Sequence, residues 1–144
     1  MPGLEDPNAI IARLRPVPLF SNLSKKQMNT LAGTATDRSY QPGDTIVKEG
    51  ETKTGFFLIT GGKVAIEKGG RQVATLAAGQ YFGEMSLIDE MPRSATVKAL
   101  EPTRCLVVFP WEFWSSVGND PDAIRSLFRE TVRRLRETPS GPSE

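Results

Sequence analysis

From Thr36 to Phe109, short apolar runs alternate with glycine-bearing turns, and this punctuation limits the fold more than any other feature of the chain. Pro42-Gly43-Asp44 reads as a turn, Thr45 to Lys48 as a strand, and Glu49-Gly50-Glu51 as a second turn. Phe56 to Ile59 is a short apolar strand ending at Gly61-Gly62, and Val64 to Glu67 is another. Lys68-Gly69-Gly70-Arg71 has the composition of a hairpin tip, leading into Val73 to Leu76. Two further strands are expected near Ser94–Leu100 and Arg104–Phe109. Many short strands at regular turn spacing call for a β-barrel, sandwich or jelly roll.

The flanks have a different period. Asp6-Pro7 is a helix-start pair, followed by an apolar stripe at Ile10, Ile11 and Leu14, with Pro16 and Pro18 ending the helix. Ser24 to Gln27 fits a capping box for a second helix, with Gly33 as its stop. After the strands, Trp111 to Val117 reads as a short helix with both tryptophans, Trp111 and Trp114, packing on one face. Asp120-Pro121 starts a longer helix to about Glu137, with apolar spacing at Ile124, Leu127, Phe128, Thr131 and Leu135. Arg125, Arg129, Arg133 and Arg136 occupy another face and read as solvated. The expected organisation is a helical segment (1–35), a strand-rich region (36–109), two C-terminal helices (110–137) and a disordered tail (138–144).

Composition narrows the chemistry. With 38% hydrophobic and 24% charged residues, the chain can build a core and is not wholly disordered. A net charge of +1 argues against nucleic acid as the main partner. There is no histidine, which removes the commonest metal ligand and the commonest general acid/base. The single cysteine, Cys105, lies in an apolar strand-like run and reads as a buried core thiol. No catalytic or metal-binding residue is assigned, no cofactor is implied, and Asp89-Glu90 reads as a solvated turn. No apolar run is long enough to span a bilayer, and the N-terminus does not look like a signal peptide, so a cytoplasmic setting is expected.

One stretch concentrates the groups that hold a sugar phosphate: Phe82-Gly83-Glu84-Met85-Ser86-Leu87, followed by Arg93-Ser94-Ala95-Thr96-Val97. Gly83 lets backbone come close, and a short helix start offers N–H groups to an anion. Glu84 can accept from sugar hydroxyls, Arg93 can grip phosphate oxygens through its planar fork, and Ser94 adds a hydroxyl.

This pattern resembles the phosphate-binding cassette of cyclic-nucleotide-binding domains, the family of catabolite activator proteins, protein kinase A regulatory subunits and cyclic-nucleotide-gated channels. The likeness extends to Val17 to Leu23, to Gly50-Glu51, and to Gly55 through Val64, and covers about residues 17–137. It is nearest to the domains of prokaryotic cyclic-nucleotide-gated potassium channels. The resemblance implies an α+β, mainly β fold: an eight-stranded antiparallel β-barrel or jelly roll flanked by N-terminal helices and two C-terminal helices, with the cassette at 82–97.

By the same resemblance, Glu84 takes the ribose 2′-hydroxyl and Arg93 an exocyclic phosphate oxygen, with a further contact from Ser94. Backbone around Gly83, Met85 and Ser86 completes the cradle. The base is expected against Ile66 and Ala74, with Met85 nearby. The last helix is expected to close as a lid, its contact falling within Arg133 to Arg136. Leu135 stands where the related channel domains are expected to carry arginine, and Arg134 or Arg136 takes its place. The implied ligand is cAMP, with cGMP close behind because a hydroxyl residue such as Ser94 also suits a syn guanine.

The expected function is a stand-alone sensor, a non-enzyme that passes its signal to an unidentified effector protein. Met1 at the start favours a complete small protein. Two alternatives are a module of the same fold that binds no nucleotide, serving structure or protein interaction, and a regulatory fragment of a larger protein. A cupin-type metal oxygenase is disfavoured because that site needs imidazole ligands.

Overall fold

A computed structural model describes residues 6–52, 54–89 and 91–137, with the side chains of Arg134 and Glu137 outside the described set. The expected tail at 138–144 and the glutamate at position 90 therefore lie outside the described residues. The chain forms two compact units, one helical (to Thr34 and again from Trp111) and one built of strands (Ala35–Pro110).

The strand unit contains β1 (Thr36–Tyr40), β2 (Thr45–Val47), β3 (Phe56–Gly61), β4 (Lys63–Lys68), β5 (Arg71–Ala77), β6 (Tyr81–Phe82), β7 (Thr96–Ala99) and β8 (Thr103–Val108). They make two four-stranded antiparallel sheets, ordered β1-β8-β3-β6 and β2-β7-β4-β5. This is a jelly roll of two sheets, and the barrel is not closed. Chain neighbours often lie in opposite sheets, so inward side chains from both meet in one core. Phe57, Ile59, Phe82, Cys105 and Val107 from the first sheet pack with Val47, Val64, Ile66 and Val97 from the second.

Local chemistry explains the elements. At the β4–β5 tip, Gly69 and Gly70 both have positive φ (58° and 81°), as a two-residue hairpin turn requires. The hairpin register slips between Ile66 and Glu67: Ile66 faces Ala74 and Glu67 faces Gln72, so Val73 is an unpaired extra residue. β1 was not anticipated as a separate strand, because Thr36–Tyr40 has no apolar alternation and is extended by its pairing with β8. The two-residue β6 is likewise defined by its partner, with Phe57 and Phe82 stacked at 4.9 Å.

In the helical unit, α1 (Pro7–Leu14) starts at Asp6, whose side chain accepts from the Asn8 N–H at 3.0 Å. α2 (Lys25–Thr34) carries the full capping box: Gln27 N–H donates to Ser24 Oγ at 3.1 Å, and Ser24 N–H donates to Gln27 Oε1 at 2.8 Å. The expected stop at Gly33 is wrong by one residue. Gly33 lies inside the helix and does not take positive φ, so it makes no left-handed cap.

The cassette turn α3 (Ser86–Asp89) belongs to the strand unit; α4 (Pro110–Val117) and α5 (Pro121–Glu137) follow. Asp120 caps α5 by accepting the N–H groups of Asp122 and Ala123. The tryptophans depart from expectation. Trp111 is 61% exposed, while Trp114 packs edge-on against Phe113 at 5.2 Å. On α5 the buried side is set by Ala123 and Leu127, which leaves Ile124, Phe128 and Leu135 largely exposed. The apolar face is thus narrower than the spacing of hydrophobic residues suggested.

Candidate functional site

The cassette begins where β6 delivers Phe82 into the core and the chain turns at Gly83 with φ +83°. A side chain at Gly83 would collide with the Gly55 carbonyl oxygen and with Arg93 Nη1, so only glycine permits this approach. One turn of helix follows. Its first N–H, from Ser86, is taken up by the Gly83 carbonyl at 3.1 Å, and Leu87 N–H donates to Glu84 O at 3.3 Å. The cassette backbone is therefore braced from within.

Glu84 is only 1% exposed and Arg93 only 3%. Two ionisable side chains in one short segment are thus removed from bulk water, an arrangement that is costly unless charge and hydrogen bonding are matched. Arg93 is fixed at both ends. Its backbone N–H donates to Glu51 O at 2.7 Å, and its carbonyl accepts from Gly50 N–H at 2.8 Å. At the far end Nη1 donates to Ser86 Oγ at 2.7 Å and to Gly55 O at 3.3 Å, and the guanidinium lies 5.6 Å from the centre of the Phe82 ring. A guanidinium held this way keeps its fork in one orientation, as bidentate recognition of a phosphate requires.

The remaining predicted residues are distributed as follows. Ser94 is half-buried beside Arg93, and Met85 is half-buried between Glu84 and Ser86. Ile66 and Ala74 are direct partners across β4 and β5, so their side chains share a face; Ile66 reaches the core, while Ala74 is exposed. Leu135 (71% exposed) and Arg136 are on the surface of α5, and the side chain of Arg134 lies outside the described residues. Asp89 accepts from Met91 N–H in an exposed turn, a local role that needs no chemistry.

Sequence reading missed the surroundings of Arg93. Gly50 and Glu51 had been read as a turn and, with Gly55, as part of a family likeness, yet they hold the arginine from about forty residues away in the chain. The one available signal was the glycine pair Gly50 and Gly55, both at positive φ. A separate groove of about 470 Å³ lies in the helical unit, lined by Asn22, Ser126, Arg129, Arg133 and Arg136 among others. It shares no residue with the cassette, and its Arg133 is already bound by Glu130. Among the described residues no cluster of acidic or thiol side chains could hold a metal ion, and no helix is long and apolar enough to cross a membrane.

The family model for the cyclic nucleotide-binding domain matches residues 37–117, more than half of the chain and all of the cassette. The chain belongs to the cyclic-nucleotide-binding domain family. Among similar curated proteins, a cAMP-dependent protein kinase regulatory subunit of Debaryomyces hansenii is 42% identical over 78% of this chain and 25% of its own length. The cyclic AMP receptor protein of Thermus thermophilus is 34% identical over 83% of this chain and 58% of its own. A solved N-terminal domain of a transcriptional regulator from Streptomyces coelicolor superposes with a TM-score of 0.76 at 30% identity, covering 88% of this chain and 92% of that one. This cyclic-nucleotide-binding domain spans only 13–25% of the length of the first curated relatives it matches. The family is clear, whereas a special likeness to the channel domains is not among these findings.

Proposed function

We propose that this domain is a sensor for a 3′,5′-cyclic nucleotide, cAMP ahead of cGMP, that passes its signal to an effector protein through the last helix. The observation that carries this reading is the burial of Arg93 and Glu84 together in one glycine-turned cassette. Arg93 supplies the charge for the exocyclic phosphate oxygens, and Glu84 accepts from the ribose 2′-hydroxyl. Ser94 and the cassette backbone complete the cradle. The base rests against the face shared by Ile66 and Ala74, with Met85 beside it. Relatives named for cAMP, such as the Thermus receptor, support the preference for adenine; a cGMP-dependent protein kinase of Eimeria tenella at 33% identity keeps guanine in second place.

The output is closure of α5, with Arg134, Leu135 or Arg136 meeting the base. Closure transmits a signal only if the nucleotide binds the closed form better than the open one. The domain acts as a non-catalytic module in a cytoplasmic setting. Isothermal calorimetry with cAMP and cGMP side by side tests the ligand. Saturable binding of either supports a sensor, tighter cAMP binding supports the stated preference, and no heat with either nucleotide rejects the sensor reading. Hydrogen exchange across 121–137 tests the output, and equal protection with and without nucleotide rejects it.

A further inference from the structure

Ser86 carries an unassigned role. Its side chain is 8% exposed, and its Oγ accepts from Arg93 Nη1 at 2.7 Å. A serine hydroxyl that accepts one hydrogen bond still has its own proton to give, and among the described residues it gives that proton to no acceptor. A buried donor without an acceptor is costly, so this proton is suited to a group that arrives later. The same guanidinium that Ser86 touches is the one assigned to the phosphate. An oxygen in hydrogen-bond reach of Arg93 can also lie in reach of a hydroxyl 2.7 Å from Nη1.

We infer that the Ser86 side chain is a specificity residue for the phosphate: it accepts from Arg93 and donates its proton to one of the two exocyclic oxygens. The inference rests on the reading of the cassette as a cyclic phosphate site. It adds a side-chain donor where the resemblance gave Ser86 only a backbone part. The hydroxyl makes the cradle asymmetric, because one oxygen gains a neutral O–H donor in addition to the guanidinium. The hydroxyl adds to the backbone donors of the cradle rather than replacing them: Ser86 N–H already donates to Gly83 O at 3.1 Å, whereas its Oγ–H has no acceptor among the described residues.

The two phosphorothioate diastereomers of cAMP provide the test, because each replaces one exocyclic oxygen with sulfur, a weaker acceptor. Ser86→Ala removes a single oxygen atom, and thermal melting without ligand checks that the fold is kept. For cAMP the variant is expected to bind roughly ten- to a hundredfold more weakly, the scale of a lost hydrogen bond to a charged group. The diastereomer with sulfur at the oxygen facing Ser86 should lose little, whereas the other should lose as much as cAMP. The ratio of their affinities therefore changes between wild type and Ser86→Ala. An unchanged ratio overturns the inference, whether or not the overall affinity falls. Wild-type protein that binds no cyclic nucleotide rejects the underlying site instead, so the two failures are distinct.

Discussion

Gly83 lies directly against Gly55, so that a Cβ added to Gly83 would overlap the Gly55 carbonyl oxygen. Both residues have positive φ, 83° and 86°. Gly83→Ala therefore combines a disfavoured backbone with a clash against backbone that cannot swing aside. A loss of about 1–3 kcal/mol in unfolding free energy is expected from the backbone alone. Urea unfolding measures it, and nucleotide affinity should fall too because the same Cβ would press on Arg93 Nη1. A stable variant with normal binding would show that the turn can relax.

Arg93→Ala is expected to weaken cyclic nucleotide binding by ~3–5 kcal/mol, the range for removing one partner of a buried charged pair. Arg93→Lys should restore little, since an ammonium lacks the fork that Ser86 and Gly55 orient. Glu84→Ala should cost less, ~1.5–3 kcal/mol for hydrogen bonds to a charged group. Calorimetry on the three variants ranks them, and an unchanged affinity for Arg93→Ala would remove the arginine from the site.

Burial pushes the Cys105 thiol up from 9.0 to about 12, with the Asp37 charge adding in the same direction. The folded state therefore holds this proton where the unfolded chain releases it. Stability contributed by the neutral thiol is fully present below about pH 9, declines above it, and is gone once the pH passes about 12. Wild type should lose unfolding free energy more steeply across that window than Cys105→Ala. Tyr40 is raised too, by burial first and then by Cys105, so the part of its shift that comes from the thiol also disappears in Cys105→Ala. Parallel stability curves would contradict this account. The native thiol should also resist alkylation at pH 8.

Gln27 joins three parts of the helical unit. Its Oε1 completes the α2 cap, while Nε2 donates to Val117 O at 3.2 Å and to Asp120 Oδ2 at 3.1 Å. Gln27→Ala should destabilise the protein by about 1–2 kcal/mol, more than an ordinary surface change. Lys26→Ala, one residue earlier and exposed, is the control. Equal unfolding midpoints for the two variants would refute the linking role.

Legibility in the sequence followed the range of the interactions. Local chemistry was readable: the Ser24–Gln27 cap, the Gly69-Gly70 turn, and the Asp120 start of α5 all follow from side chains acting within a few residues. The apolar strands β3, β4 and β8 were readable for the same reason, because each carries its own hydrophobic run. β1 and β6 were not singled out, since pairing rather than composition makes them strands. Within the site, Gly83, Glu84, Ser86 and Arg93 stood out as one dense motif. The grip of Gly50, Glu51 and Gly55 on Arg93 could not be read, because it exists only after distant segments meet. Trp111 shows the converse error, in which a large apolar residue was expected to be packed away and is instead 61% exposed.

The unpaired Val73 has a consequence for how the molecule behaves in company. Among the described residues β5 ends its sheet, so one side of its backbone has no strand paired to it there and presents a template for another chain. A regular strand there would invite a second copy to add on and then a third. The slipped register between Ile66 and Glu67 breaks the even comb of donors and acceptors at the middle of that border. An incoming strand could match the hydrogen-bonding pattern on one side of Val73 but not on both. The same irregularity that bends the hairpin thus makes this border a poorer template for an added strand.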